Sequence, residues 1–348
     1  MKAYIAGSGT YLPEGVVSNA DLTERLGLSP EQIFKSSGIR NRRWASEGTT
    51  TSALAAGALL KAIDNAGLRP EQIDYLITGT MTPDRFIPGI APAVQKLAGL
   101  REIPALDIRG ACCNALYGLQ VARALVLSGA AQCVAICLAE IQSAWLDLSP
   151  ASGTISMLFG DGASALIVCS EETMTSDPAE SANLEIVDLF LATDGSYVGD
   201  LGIRAPGTEF GARAGTATDA AAYNPSMVGQ SVILQASRKM VAACQTVLSR
   251  NSLTINDVSW LVPHQANANL LAQVGRALSF PKPDGLISVI EDLGNTSSAS
   301  MGIALDHLRR SGRIEIGEYL LLPAFGAGFT WGAALGRSGL RPPSEDKH

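Results

Sequence analysis

Residues 103–129 read IPALDIRGACCNALYGLQVARALVLSG, and the pattern changes twice within them. Ile103 to Ile108 is a short apolar run, the length of a buried strand. Gly110 turns the chain and presents Cys112 and Cys113. From about Ala115 to Leu127 the segment is helical and apolar nearly all round, with Leu116, Leu119, Val121, Leu125, Val126 and Leu127 against a single charge, Arg123. Such a helix belongs inside a core. A cysteine in the first turn of that helix faces unpaired backbone N–H groups and the positive end of the helix dipole. Both favour the thiolate, which is the nucleophilic form. The stretch by itself also permits a second reading, in which both cysteines are small core residues.

Outward from this unit the order of elements recurs. Upstream, MKAYIAGSGTYLPEGVVSNADL predicts a strand, a Gly/Pro turn and a helix capped by Asn19. An Ala/Leu-rich helix over Thr49–Ala66 stops at Gly67, and IDYLITGT reads as a buried strand before the proline-punctuated loop TPDRFIPGIAP. Downstream, CVAICLAEI and LFGDGASALIVCS read as strands. The stretch from Thr193 to about Pro225 lacks periodicity, as a lid or pocket wall would. Helices at Val232–Arg250, Ala268–Leu278 and Ser298–Arg310 then alternate with the strands VSWLVPH, LISVI and EYLLLP.

Leu68, Ile73, Tyr75, Leu76 and Ile77 recur 185 residues later as Leu253, Val258, Trp260, Leu261 and Val262, and Ser128-Gly129 recurs 183 residues later as Ser311-Gly312. A shift of 183 carries Cys112 onto Asn295, which would place the two at equivalent positions before paired central helices. The expected fold is therefore α/β, with two pseudo-symmetric halves in an α/β/α/β/α layered body. Residues 1–175 would carry the cysteine, residues 176–340 the second half, and 341–348 a frayed tail. Strands alternating with helices predict mostly parallel sheets covered on both faces.

Composition narrows the class. The 348 residues are 47% hydrophobic and 17% charged, which predicts extensive burial rather than disorder. A net charge of −7 argues against nucleic-acid binding as the main task. The six cysteines form no CxxC pairs and no secretory leader precedes them, so a cytoplasmic setting without structural metal is expected. No uncharged apolar run reaches the roughly 18 residues of a membrane span.

Of three histidines, His348 lies in the tail and His307 sits among Asp306, Arg309 and Arg310 on what reads as a solvated helix face. His264, in WLVPHQANAN, directly follows a buried strand, where active sites of parallel α/β proteins gather.

DIRGACCNALYGLQVA, WLVPHQAN, GNTSSASMGIAL and AFGAGFTWGAAL together resemble the β-ketoacyl synthase III family of condensing enzymes, which have the thiolase fold. The resemblance runs from YLPEGVVSNADL and GIRNRR to the last strand, and LDIRGACCNALYGLQVAR is most similar to the branch that makes secondary metabolites such as quinolones and pyrones. It implies a Cys112, His264, Asn295 triad, with Asp107 five residues ahead selecting Cys112 over Cys113. Cys112 would take an acyl group from a thioester. A malonyl or β-ketoacyl thioester would then lose CO2, and its enolate would attack the acyl-cysteine. His264 and Asn295 would donate to the enolate oxygen, and the backbone N–H groups of Cys112 and Ala327 would form the oxyanion hole for acyl transfer. The family usually has glycine where Ala327 stands. Substrate contacts would come from Ile87, reaching across a homodimer, and from Phe325, Gly326 and Gly328.

The resemblance implies no cofactor beyond the phosphopantetheine of acyl carrier protein or coenzyme A that carries the substrates. The tryptophan and two arginines that hold coenzyme A in fatty-acid starter enzymes are replaced by Gln32, Ser36 and Ser152, which favours delivery by the acidic carrier protein. Its contacts would be Arg276, Lys35 and Arg40, with Arg42, Arg43 and Arg85 as further candidates. The rival reading is an acyltransferase that moves the acyl group from Cys112 to an alcohol or amine. A degradative thiolase would need a second active-site cysteine in the last glycine turn, and AFGAGFTWG has none.

Overall fold

In the computed structural model the described residues are 2–173, 183–210 and 220–339. The expected tail, 341–348, lies outside them. In chain order the first half contains β1 (Ala3–Tyr11), β2 (Gly15–Ser18), α1 (Asn19–Leu26), α2 (Pro30–Ser37), β3 (Asn41–Trp44), α3 (Thr51–Asn65), β4 (Tyr75–Gly79), α4 (Ala91–Leu97), β5 (Ala105–Ile108), α5 (Asn114–Leu127), β6 (Cys133–Glu140), α6 (Gly153–Ser156) and β7 (Gly162–Ser170). The second contains β8 (Asn183–Thr193), β9 (Leu201–Gly202), β10 (Ser226–Met227), α7 (Gly229–Arg250), β11 (Val258–Leu261), α8 (Ala268–Ala277), α9 (Ile290–Leu293), α10 (Ser300–Arg310), β12 (Tyr319–Gly326) and β13 (Thr330–Gly339).

The strands order as β5-β4-β6-β7-β1 in the first half and β11-β12-β13-β8 in the second, and an isolated parallel bridge from Leu261 to Leu286 stands where a counterpart of β5 would be. The two sets join edge to edge where Tyr4 and Ile5 of β1 meet Glu185 and Leu184 of β8. We propose that the boundary between the halves falls at 175–176, in the connection from β7 to β8, whose residues 174–182 are outside the described ones.

Three apolar clusters define five layers. Leu54, Leu59 and Ile63 of α3 cover the outer face of the first sheet, and Met240, Val247 and Val274 of α7 and α8 cover the outer face of the second. Between the sheets, Leu116, Leu119 and Val126 of α5 pack with Met301, Ile303 and Leu308 of α10. Each buried leucine contributes roughly 1.5–3 kcal/mol, so the apolar perimeter of α5 is what fixes it centrally. At the outer layer, a Cβ on Gly9 of β1 would stand 2.4 Å from the Ala58 carbonyl, so only glycine lets α3 lie this close.

The parallel-sheet expectation is corrected. Five of the eight pairings in the large sheet are antiparallel, because β6 and β7, and β12 and β13, are joined without a crossover helix. β5 is also not buried: it is the open edge of the sheet and largely exposed. Nor does Asn19 cap α1. Ser18 does, in a capping box with Asp21.

The repeat register needs a correction too. The turn before each central helix is Ala111–Cys113 in one half and Ser297–Ala299 in the other, and both enter through a left-handed residue, Ala111 (φ 51°) and Ser297 (φ 48°). That equivalence is a shift of 186, which sets Cys112 opposite Ser298, not Asn295. The shift of 183 belongs to the far ends of the helices, because α10 has 11 residues where α5 has 14.

Candidate active site

Cys112 sits in the single turn Ala111–Cys113 between β5 and α5. A left-handed conformation costs a residue with a Cβ about 1–2 kcal/mol, and Ala111 carries that strain at the head of the turn. The turn is held by Cys113 N–H donating to Gly110 O at 3.0 Å, with Asn114 Oδ1 accepting from Gly110 N–H. Cys113 points into the central core, fully buried, with its thiol 3.3 Å from Thr330 O; Cys112 keeps partial exposure. Asp107 caps α4, accepting from Ile90 N–H and Ala91 N–H at 2.8 and 3.1 Å, and so fixes the loop beside β5.

Gly326 at the end of β12 closes the other side. A Cβ there would stand 2.9 Å from the Cys112 nitrogen and 3.2 Å from its Cβ. Gly326→Ala is expected to displace the nucleophile and slow acyl loading about 100-fold with little change in circular dichroism; loading at the wild-type rate in a stopped-flow thioester assay would contradict this contact.

The second half supplies two polar groups. Asn295 N–H donates to Leu158 O at 2.8 Å, and Gly160 N–H donates to Asn295 O at 3.1 Å, so its backbone is sewn to the turn before β7. Its Oδ1 accepts from Ser297 N–H at 2.9 Å, which turns Nδ2 the other way. His264 extends the β11–β12 pairing, its N–H donating to Pro323 O at 2.9 Å. Its Nδ1 lies 2.6 Å from Ser300 Oγ, which also accepts from Gln265 N–H at 3.1 Å. Ser300 Oγ can give its own proton to Nδ1 while it accepts from Gln265, and in that arrangement the ring carries its proton on Nε2. Both His264 and Asn295 are buried residues, yet Nε2 and Nδ2 have no hydrogen bond among the described residues and are not sealed from solvent. They are donors aimed at open space.

Two serines link these groups to the nucleophile. Ser297 Oγ lies 3.6 Å from Cys112 Sγ while its N–H orients Asn295, and Ser300, one helical turn on, sets the tautomer of His264. Sequence reading passed over both; their i, i+3 spacing directly after Asn295 was the available signal.

Burial dominates the electrostatics. It pushes the Cys112 thiol up to about 11, against the hydrogen bond from Ser297, and pulls His264 down to about 4. Both directions run against the expected thiolate: desolvation favours a thiol beside a neutral imidazole.

The other sequence candidates fall as follows. Ala327 and Gly328 form the partly exposed tip between β12 and β13, and Ala327 has no positive φ, so its N–H is presented without strain. Phe325, expected to contact substrate, has its ring buried in the outer core, 4.7 Å from that of Phe329, which in turn stacks on Tyr197 at 4.9 Å. Tyr197 opens the irregular stretch that begins at Thr193, so that stretch is pinned to the β12–β13 turn; its residues 211–219 lie outside the described ones. Arg42 cannot meet a partner, since it is fully buried and donates to Asn19 Oδ1 at 2.9 Å and Met157 O at 2.8 Å. Arg40 is paired with Glu291 at 2.6 Å, while Lys35 and Arg276 are exposed. Among the described residues no cluster of His, Cys, Asp and Glu could hold a metal, and no helix is long and apolar enough to cross a membrane.

The duplicated five-layer fold, with a cysteine at the head of one central helix and Ser297 and Ser300 holding Asn295 and His264 at the head of the other, is that of a thiolase-fold condensing enzyme of the acyltransferase class. Residues 106–195 match the profile of 3-oxoacyl-[acyl-carrier-protein] synthase III, and 248–338 that of its C-terminal region. The chain is 38% identical to β-ketoacyl-[acyl-carrier-protein] synthase III 3 of Streptomyces coelicolor, over 95% of each chain, and 36% identical to the synthase III of Chlamydia caviae, over 96% of each. The solved 3-oxoacyl-[acyl-carrier-protein] synthase III of Aquifex aeolicus superposes with a TM-score of 0.84 at 31% identity, covering 97% of this chain and 100% of that one. The priming β-ketosynthase of the R1128 polyketide pathway also superposes at 0.84, with 29% identity, covering 98% and 97%. The chain belongs to the β-ketoacyl-[acyl-carrier-protein] synthase III family.

Proposed function

We propose that this enzyme extends an acyl group held on Cys112 by decarboxylative condensation with a malonyl or β-ketoacyl thioester delivered on acyl carrier protein. The observation that carries the reading is the pair of unengaged nitrogens, His264 Nε2 and Asn295 Nδ2, the second set by Ser297, which touches the sulfur, and the first by Ser300 one turn on. In the first step the Cys112 sulfur attacks the acyl thioester, the carrier thiol leaves with the thiol's proton, and the oxyanion takes N–H bonds from Cys112 and Ala327. In the second, taking malonyl as the extender, its C–C bond to the carboxylate breaks and CO2 departs. The enolate oxygen accepts from His264 and Asn295. Its carbon then attacks the acyl carbon, and the sulfur leaves as thiolate and regains a proton. Neutral donors suit this charge, each such donor accounting for roughly 100-fold in rate.

Carrier delivery is supported by the places expected to hold coenzyme A. Gln32 Oε1 accepts from Ser29 N–H at 2.7 Å, Ser36 Oγ donates to Gln32 O at 2.7 Å, and Ser152 Oγ donates to Asp147 Oδ2 at 2.8 Å. These side chains close their own turns and offer neither a ring to stack nor a cation. Lys35, Arg276 and Arg85 are exposed basic residues open to the carrier. Arg40 would have to give up Glu291 first.

A homodimer is supported by the exposed edge strand β5. Leu106 is 37% exposed there, with Leu97 at 52%, Phe86 at 72% and Ile87 at 78%. An open edge flanked by apolar side chains is a pairing surface, and Ile87 projects from it as a partner's pocket residue would. Leu106→Lys is expected to convert the dimer to monomer in sedimentation velocity and to lower condensation with it; a wild-type chain that sediments as a monomer would refute the pairing.

Peptide mass spectrometry after incubation with acyl-CoA and acyl-carrier panels tests the whole reading. Acyl mass on Cys112, followed by CO2 and a β-ketoacyl product when malonyl-carrier is added, is expected. Adducts on Cys113 alone, or transfer to an alcohol or amine without CO2, would overturn it.

A further inference from the structure

Glu140, the last residue of β6, is fully buried beside this site. Its carboxyl group receives Ser298 Oγ at 2.6 Å, Thr82 Oγ1 at 2.7 Å, Met81 N–H at 3.2 Å, and Thr80 Oγ1 and Gln142 Nε2 at 3.3 Å. Thr82 Oγ1 already accepts from Ile141 N–H at 2.9 Å, so its proton points to Glu140. Burial pushes the Glu140 carboxyl up, these donors pull against that, and no cation is bonded to it among the described residues. Ser298 stands between Ser297, which touches the sulfur, and Ser300, which sets His264. Glu140 thus ties the turn that orients the second half's Asn295 and His264 to β6 of the first half.

We propose that Glu140 is a positioning residue of the condensation: through Ser298 it fastens the turn that holds Ser297 and Ser300, and with them Asn295 and His264, to the first half of the chain.

The inference rests on Cys112 as nucleophile, and its test separates the two. Acyl loading of Cys112 and malonyl-carrier decarboxylation are measured separately in wild type, Ser298→Ala and Glu140→Gln. Both variants are expected to load acyl groups at the wild-type rate while decarboxylation falls several-fold. Equal loss of both steps, or loss of neither, overturns the fastening role, and Ser298→Ala decides alone if Glu140→Gln does not fold. A wild-type Cys112 that never carries acyl, with decarboxylation still lowered in Ser298→Ala, would refute the nucleophile and leave the role of Glu140 intact.

Discussion

Cys112→Ala is expected to carry no acyl group and to lose condensation by about a thousandfold or more, while still releasing CO2 from malonyl-carrier. The neighbouring thiol cannot substitute. Cys113 is fully buried, its Sγ is 3.3 Å from Thr330 O, and burial raises its pKa beyond that of Cys112. Decarboxylation should survive because the groups that receive the enolate charge, His264 and Asn295, come from the other half of the chain and are positioned by Ser300 and Ser297. Intact-protein mass spectrometry and labelled CO2 release measure the two activities separately. Loss of both together, with folding intact, would mean that the sulfur takes part in decarboxylation.

His264→Ala should give the opposite pattern. Acyl loading of Cys112 is expected within a few-fold of wild type, and decarboxylation reduced about 100-fold or more, the value of one preorganised donor. A comparable loss of loading would make His264 a base for the thiol instead. The substitution also changes acid stability. Burial depresses the folded pKa of His264 from the ordinary imidazole 6.5 to about 4, so from about pH 6.5 downward the unfolded chain binds a proton that the folded chain refuses. The fold therefore loses about 3 kcal/mol between those values at this one residue. Urea titrations at pH 7 and pH 5 should show a shallower loss in His264→Ala than in wild type.

The fold was legible where the pattern is carried by apolar residues. The apolar perimeter of α5 placed it between two sheets, and the recurrence of Leu76-Ile77 as Leu261-Val262 revealed the duplication. Strand direction was not legible, since β6 and β7 are as apolar as parallel strands and only their connections make them antiparallel. The register between Cys112 and the second half was also out of reach, because landmarks at the helix ends carry no information about a three-residue difference in helix length.

At the site, Cys112, His264 and Asn295 were named through the resemblance of DIRGACCNALYGLQVA, WLVPHQAN and GNTSSASMGIAL to the condensing enzymes. Ser297, Ser300 and Glu140 could not. A serine in GNTSSAS or a glutamate ending CVAICLAE acquires its role only from what the other half of the chain places against it. Arg42 shows the reverse: a basic cluster in sequence suggests a surface, but Asn19 and the Met157 carbonyl draw this guanidinium inside. The state of the thiol failed for a similar reason, since a helix start can be read in sequence and the depth of burial around it cannot.

The most direct measurement is a crystal structure of Cys112→Ala bound to a malonyl-thioester analogue with a non-hydrolysable linkage. The expected map places the analogue's carbonyl oxygen about 2.9 Å from both His264 Nε2 and Asn295 Nδ2, with the reacting carbon facing residue 112. A carbonyl bound elsewhere, with either nitrogen more than about 4 Å away and turned from it, would contradict the meeting of one sulfur and two donors on a single thioester.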